Sequence, residues 1–173
     1  MPLRRNEKTQ RMVLYGMMIA LAFVFSYLEH LIPFNFGIPG IKLGLGNLVV
    51  LIALYTIGSR GAFVIAVVRI VLTGLTFGGL FSMIYSLAGG LLSFVVMALL
   101  AKGNRLHITG VSICGGVMHN VGQLLVAMVV LETVNVWFYL PVLLISGAVT
   151  GVAIGITGGL LVERLDKFLR LTR

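Results

Sequence analysis

Long apolar stretches, separated by short charged or glycine- and proline-rich connections, dominate this chain. The pattern predicts six apolar helices with approximate bounds 12–32, 43–57, 62–77, 80–101, 108–131 and 139–162. Residues 70–101 carry no charge and are too many for one helix, so we expect a break at Gly78-Gly79. A bilayer core of about 30 Å requires about 20 helical residues. The short second and third segments are therefore expected to be tilted less or partly covered by protein.

The composition agrees with a protein that lies mostly in lipid. Hydrophobic residues make up 59% of the chain and charged residues 10%, whereas a soluble domain carries about 25% charged residues. We therefore predict an all-α integral membrane protein, a six-helix bundle that forms one domain over residues 1–173. The single cysteine, Cys114, excludes an intrachain disulfide.

The basic residues predict the orientation of the chain. All but two of the 13 lysines and arginines lie in residues 1–11, after the second or fourth segment, or in the tail. The exceptions are Lys42, in the first outer loop, and Arg69, within a span. Because basic residues favour the cytoplasmic side, both termini are predicted to be cytoplasmic, with a basic N-terminus at 1–11 and an amphipathic tail at 163–173. This arrangement also explains the net charge of +8 without nucleic acid.

The first outer loop, residues 33–42, has unusual chemistry. Its prolines and glycines disfavour a helix, and its phenylalanines and isoleucines are too apolar for an ordinary solvated loop. Two interpretations stay open at this point: an interfacial segment packed on the bilayer, or a lid over an outward-facing pocket.

Polar side chains recur inside the predicted spans and follow one face of each helix. They are Arg69, Thr73 and Thr76 on the third, Ser82, Ser86 and Ser93 on the fourth, and Ser112, His119 and Gln123, with Asn120 beside them, on the fifth. A central arginine costs about 2.5–3.5 kcal/mol on insertion scales, so these faces should point to the protein interior. Interhelical hydrogen bonding explains many of the hydroxyls. Arg69, however, requires a counter-ion or an anionic ligand. We expect a pocket with Arg69 and His119 at its floor and Lys42 at its rim, suited to a small polar or anionic ligand.

Small residues at helical spacing predict close helix contacts. Gly147, Gly151, Gly155 and Gly159 follow one another at intervals of four in the sixth segment, which lets another helix approach closely. Gly16 and Ala20 form a shorter pair in the first segment, for which ordinary internal packing is the plain interpretation.

Several signatures of catalysis are missing from the sequence. There is no GxxxxGK[ST] loop for ATP, and Asp166 is the only aspartate, so no aspartate cluster can hold Mg²⁺ and diphosphate. No Cys/His set has zinc-ligand spacing. We therefore expect a protein that is not an enzyme and has no cofactor or metal.

Five segments resemble one known family. They are Pro39-Gly-Ile-Lys-Leu-Gly-Leu-Gly-Asn47, Arg69-Ile-Val-Leu-Thr-Gly74, Ser86-Leu-Ala-Gly-Gly-Leu-Leu-Ser93, Gly115-Gly-Val-Met-His-Asn-Val-Gly-Gln123 and Tyr139-Leu-Pro-Val-Leu-Leu144. The family is the Gx transporter family, also named heptaprenyl diphosphate synthase component I. It is similar to the substrate-binding S components of energy-coupling factor (ECF) vitamin transporters.

This resemblance implies an S-component-like bundle in the plasma membrane, with a substrate pocket near the outer face and a gating first loop. It also implies two kinds of partner: a transmembrane coupling protein, docked on the Gly16 and Ala20 face, and two cytoplasmic ABC-type ATPases. The site residues carried over are Lys42, Asn47, Arg69, His119, Asn120 and Gln123. Two alternatives remain: a non-catalytic membrane accessory subunit of isoprenoid-chain synthesis, and an ion- or proton-conducting subunit built on Arg69, His119 and Glu29.

Overall fold

The protein is helical throughout the part that the computed structural model describes, residues 3–31, 44–103 and 105–171, with no strand in those ranges. Its α-helices are α1 (Leu3–Leu31), α2 (Leu45–Thr56), α3 (Ser59–Thr73), α4 (Gly79–Gly103), α5 (Ile108–Val130) and α6 (Leu140–Leu171). A π-helix (Gly74–Gly78) follows α3, and a 3₁₀-helix (Val134–Tyr139) precedes α6. The prediction of an all-helical protein is confirmed. The first outer loop and Lys42 lie outside the described residues.

Four helical stretches are long and apolar enough to cross a membrane: Thr9–Leu31, Ser59–Gly103, Ile108–Val130 and Val134–Leu165. Their length and composition identify a multi-pass membrane protein. The stretch Ser59–Gly103 has 45 residues because α3, the π-helix and α4 are continuous, and α2 is a shorter apolar helix. Length and composition alone therefore give four spans, where the sequence pattern predicts six.

The stretch Ser59–Gly103 turns back on itself at Gly79, which has φ +74°. Glycine adopts this left-handed backbone region without steric cost. Beyond the turn, Phe63 lies against Phe94 with ring centroids 5.4 Å apart, and Ile70 lies beside Gly90. Because contacts nearer the turn join residues closer in sequence, α3 and α4 form an antiparallel hairpin. The break predicted at Gly78-Gly79 is therefore present.

Helix α2 is enclosed by the other helices. Every residue from Leu48 to Leu54 is buried, as expected for a helix that is apolar on all sides. At 1.5 Å per residue its 12 residues extend only about 18 Å, less than the bilayer core. Of the two expectations for this short segment, less tilt or partial cover by protein, this burial bears out the second.

Helices α5 and α6 meet in direct backbone contact. A Cβ atom on Gly155 would lie 2.6 Å from Thr109 Cα, and one on Gly151 would lie 2.7 Å from Ile113 Cα. Gly147 faces Gly116 in the same seam. Gly159 lies at its edge, where the nearest atom to a built Cβ is His107 Cε1 at 4.0 Å. Side chains larger than hydrogen do not fit at the first three positions without separation of the helices.

Helix α1 packs through one face and leaves the other open. Ala22 is fully buried and Ser26 is nearly so. Gly16 and Ala20 are exposed, and no atom lies within 4 Å of a Cβ built on Gly16. Gly16 and Ala20 therefore lie on an open surface of the described chain rather than in an internal contact.

Cross-helix contacts show that consecutive helices run in opposite directions. Helices α1 and α3 are parallel, with Tyr15 beside Gly61 and Ser26 beside Arg69. Helices α2 and α6 are likewise parallel. The end of α1, the start of α2, the π-helix and the start of α4 consequently lie at the same end of the molecule. At that end the 3₁₀-helix exposes aromatic rings, of which Phe138 is 83% exposed, as is typical of a membrane interface.

The C-terminal tail continues α6 as far as Leu171. Within the described residues, the segment predicted as an amphipathic tail is therefore the end of this helix. The basic N-terminal segment is also helical, from Leu3 onward, so α1 extends further than its predicted apolar part.

Candidate functional site

A polar cavity of about 260 Å³ lies among the six helices, and each of them contributes to its lining. Along α4 the lining extends from Ser82 to Met97, a distance of about 22 Å at 1.5 Å per residue. Glu29, His30 and Phe77 lie at one end of the cavity, at the end of α1 and in the π-helix. The other end reaches Ser112, near the start of α5. The cavity therefore penetrates deep into the bundle from the end where α1 finishes.

Arg69 is a charged residue in the lining of the cavity, and it is only 9% exposed. Its Nη1 donates a hydrogen bond to Ser26 Oγ at 3.1 Å, and its Nη2 donates one to Asn47 Oδ1 at 3.0 Å. Both acceptors are neutral. Glu29, on the same cavity lining, attracts the guanidinium electrostatically. The guanidinium is thus held in place by helices α1 and α2 without an ion pair to neutralise it fully.

Two polar atoms of α3 are buried and have no hydrogen-bond partner in the described part of the chain: Arg69 Nε and Thr73 Oγ1. They belong to residues one helical turn apart, and both residues line the cavity. A buried polar group that lacks a partner costs roughly 1–3 kcal/mol. An oxygen of a bound ligand would satisfy both, since Nε donates and a hydroxyl can donate or accept.

Gly46 makes room for the guanidinium. A Cβ atom at this position would overlap Arg69 Nη1 and would lie 2.5 Å from Ser26 Oγ. The absence of a side chain at Gly46 lets Arg69 reach across α2 to α1. Gly46 was not among the site residues predicted from the sequence, although it is part of the Pro39–Asn47 segment that carries the family resemblance.

Glu29 ties the end of α1 to the start of α2. Its Oε1 accepts a hydrogen bond of 2.6 Å from the backbone N–H of Gly44, whose φ of +74° favours glycine. Glu29 was considered for ion conduction and was not among the predicted substrate-binding residues. The structure adds it, with Ser26 and Thr73, to the cavity lining.

The predicted binding residues separate into three groups. The structure brings together Asn47, Arg69, His119 and Asn120 around the cavity. Asn120 also donates from Nδ2 to Leu143 O at 2.7 Å, which joins α5 to α6. Gln123 is buried against Gly89 of α4 and is not among the lining residues. Lys42 lies outside the described residues.

The expectation that Thr76 shares the inward face of Arg69 and Thr73 is wrong. Thr76 is exposed, and its hydroxyl donates to Leu72 O at 2.7 Å. The π-turn adds a residue to the helical repeat and so shifts the register of the residues after Thr73. Phe77 takes the inward position, where it packs against Phe23, Tyr27 and His30.

Comparison with known proteins identifies the family. No curated protein and no solved structure matches the chain. The family model described as heptaprenyl diphosphate synthase component I matches residues 18–161. That range runs from the middle of α1 into α6 and includes every residue that lines the cavity. With most of the chain matched by this one model, the protein belongs to the heptaprenyl diphosphate synthase component I family.

Proposed function

We propose that this protein is the membrane-embedded substrate-binding subunit, similar to an S component, of an energy-coupling factor type transporter. It takes up a small polar or anionic ligand from the outer face of the plasma membrane and is not itself an enzyme. The observation that carries the proposal is the buried Arg69 beside a polar cavity, since its Nε has no hydrogen-bond partner among the described residues. Ionisable residues within spans generally mark substrate or ion pathways.

The lining of the cavity supports a small ligand that accepts and donates several hydrogen bonds. Hydroxyl-bearing residues of α4, α5 and α6 line the cavity, including Ser86, Ser112 and Thr150. Arg69 supplies positive charge for a carboxylate or phosphate oxygen, and its planar donors suit such groups. His119 and Asn120 complete the wall on the α5 side.

The proposed topology has six crossings, with both termini in the cytoplasm. It rests on the alternating directions of the helices, the hairpin at Gly79 and the distribution of basic residues. In this orientation Glu29 and His30 lie at the outer end of the cavity, so the ligand enters from outside.

A C-terminal tag tests the topology. In right-side-out vesicles we expect a protease-sensitive tag after Arg173 to be protected, because α6 then ends in the cytoplasm. An equivalent tag before Met1 should be protected as well. Cleavage of either tag in sealed vesicles would contradict the proposed orientation, and permeabilised vesicles, in which both tags should be cut, provide the control.

The open face of α1 is the proposed docking surface for the transmembrane coupling protein. Gly16 and Ala20 are exposed, and their small size would let a partner helix approach α1 closely. The coupling protein would in turn connect this subunit to two cytoplasmic ABC-type ATPases, whose ATP hydrolysis drives release of the ligand to the inside.

The decisive experiment is a mild-detergent pull-down of the tagged protein from its native host, with the bound proteins identified by mass spectrometry. We expect a second membrane protein and ABC-type ATPases with the wild type. They should be lost with Gly16→Leu, because leucine fills the surface on which the partner helix docks. Gly103→Leu is the matched control, since a Cβ there also meets nothing within 4 Å.

The family description favours a second candidate, a non-catalytic membrane accessory subunit of heptaprenyl diphosphate synthesis. The same pull-down separates the two functions. Recovery of a soluble prenyl synthase in place of ATPases would overturn the transporter proposal and support the accessory subunit.

A further inference from the structure

A second groove lies between α3 and α4 and shares no residue with the central cavity. Its volume is about 320 Å³. It is lined by Ser59, Arg60, Phe63, Phe94, Val95, Ala98, Leu99 and Lys102. Because α3 and α4 are antiparallel, the groove joins the first turn of α3 to the last turn of α4. It therefore lies at the end of the bundle opposite the mouth of the central cavity.

The groove has an apolar body and a basic end. Phe63 and Phe94 form its floor, and Val95 and Leu99 are more than half exposed beside them. Arg60 and Lys102 are both exposed, and no acidic residue belongs to the lining of the groove. Two cations thus flank the groove, whose remaining surface is nearly all hydrocarbon.

This combination matches the two chemical parts of an anionic phospholipid. The planar guanidinium of Arg60 suits phosphate oxygens, and the ammonium of Lys102 adds a second charge. Basic pockets between transmembrane helices bind acidic lipid headgroups in this way. The apolar part of the groove begins next to the cations. In a phospholipid the acyl chains likewise begin next to the charged headgroup.

We propose that the groove between α3 and α4 is a binding site for an anionic phospholipid. The headgroup phosphate is held between Arg60 and Lys102, and one acyl chain lies against Phe63, Val95 and Leu99. The site is independent of the transport function proposed above, because it requires only that the two cations lie at a membrane interface.

Native mass spectrometry of the delipidated full-length protein tests the site. Phosphatidylglycerol and phosphatidylcholine with identical acyl chains are the probes. We expect the wild type to prefer phosphatidylglycerol, and the double variant Arg60→Gln/Lys102→Gln to lose about 30-fold in affinity for it. The matched control is Arg164→Gln/Lys167→Gln, which removes the same charge from exposed positions of the α6 tail and should bind as the wild type does.

A second variant tests the apolar part of the groove without altering its charge. Val95→Trp fills the channel between α3 and α4, so phosphatidylglycerol binding should fall while the net charge stays the same. Equal losses in the two charge variants would show general electrostatic attraction and overturn the proposal. So would the lack of a headgroup preference in the wild type, or unchanged binding to Val95→Trp.

Discussion

Replacement of Arg69 by glutamine is expected to weaken ligand binding by about 30-fold to several thousand-fold, the effect of removing one partner from a buried, hydrogen-bonded charge interaction. The variant loses the positive charge of Arg69, whose Nε has no hydrogen-bond partner among the described residues. The amide nitrogen of glutamine falls short of the positions of Nη1 and Nη2, so the hydrogen bonds to Ser26 and Asn47 are lost as well.

The measurement uses whatever small molecule co-purifies with the wild-type protein and is identified by mass spectrometry. Isothermal titration calorimetry then compares the wild type, Arg69→Gln and the control Arg164→Gln, which removes an exposed cation from the α6 tail. Full affinity in a folded Arg69→Gln protein would show that Arg69 only braces α1, α2 and α3.

Replacement of Gly155 by leucine is expected to destabilise the bundle by at least the roughly 1–3 kcal/mol typical of overpacked cores. The nearest atoms to a Cβ at Gly155 are Thr109 Cα at 2.6 Å and Ser112 Cβ at 3.0 Å. Backbone atoms cannot rotate away as a flexible side chain does, so α5 and α6 must separate. Gly155 does not line the cavity, which keeps the effect on packing distinct from any effect on binding.

Thermal unfolding in detergent, followed by near-ultraviolet circular dichroism, measures this effect. The matched control is Gly16→Leu, the same substitution where nothing lies within 4 Å, and its melting temperature should not fall. An unchanged melting temperature for Gly155→Leu would mean that this face of α6 is open to lipid.

The apolar pattern predicted the helices well because every helix that lies in lipid must present apolar side chains to it. Each predicted segment overlaps an observed helix, although α1 begins earlier and α6 ends later than predicted, and glycine at Gly78-Gly79 marked the hairpin. The burial of α2 agrees with its short length, since a helix of 12 residues that is too short for the bilayer core was expected to be tilted less or partly covered by protein.

The candidate site was harder to predict than the helices, because its residues depend on the helical register and on positions where a missing side chain leaves room. Thr76 followed Arg69 and Thr73 at α-helical spacing, but the π-turn moved it outward and placed Phe77 inside. Gly46 contributes because it has no side chain and so leaves room for the guanidinium of Arg69. A pattern of polar residues does not indicate such a position. Gln123 lies on the predicted polar face of α5, but its side chain packs against Gly89 of α4 and does not line the cavity.

The hydrogen bonds of Arg69 also bear on how the chain is made. Its partners, Ser26 and Asn47, both precede it in sequence, and the ribosome synthesises a chain from its N-terminus. When α3 leaves the translocon, the acceptors for its arginine are therefore already in the bilayer. Helices α1 and α2 can thus supply hydrogen-bond acceptors that lower the free-energy cost of inserting α3 with its charged Arg69.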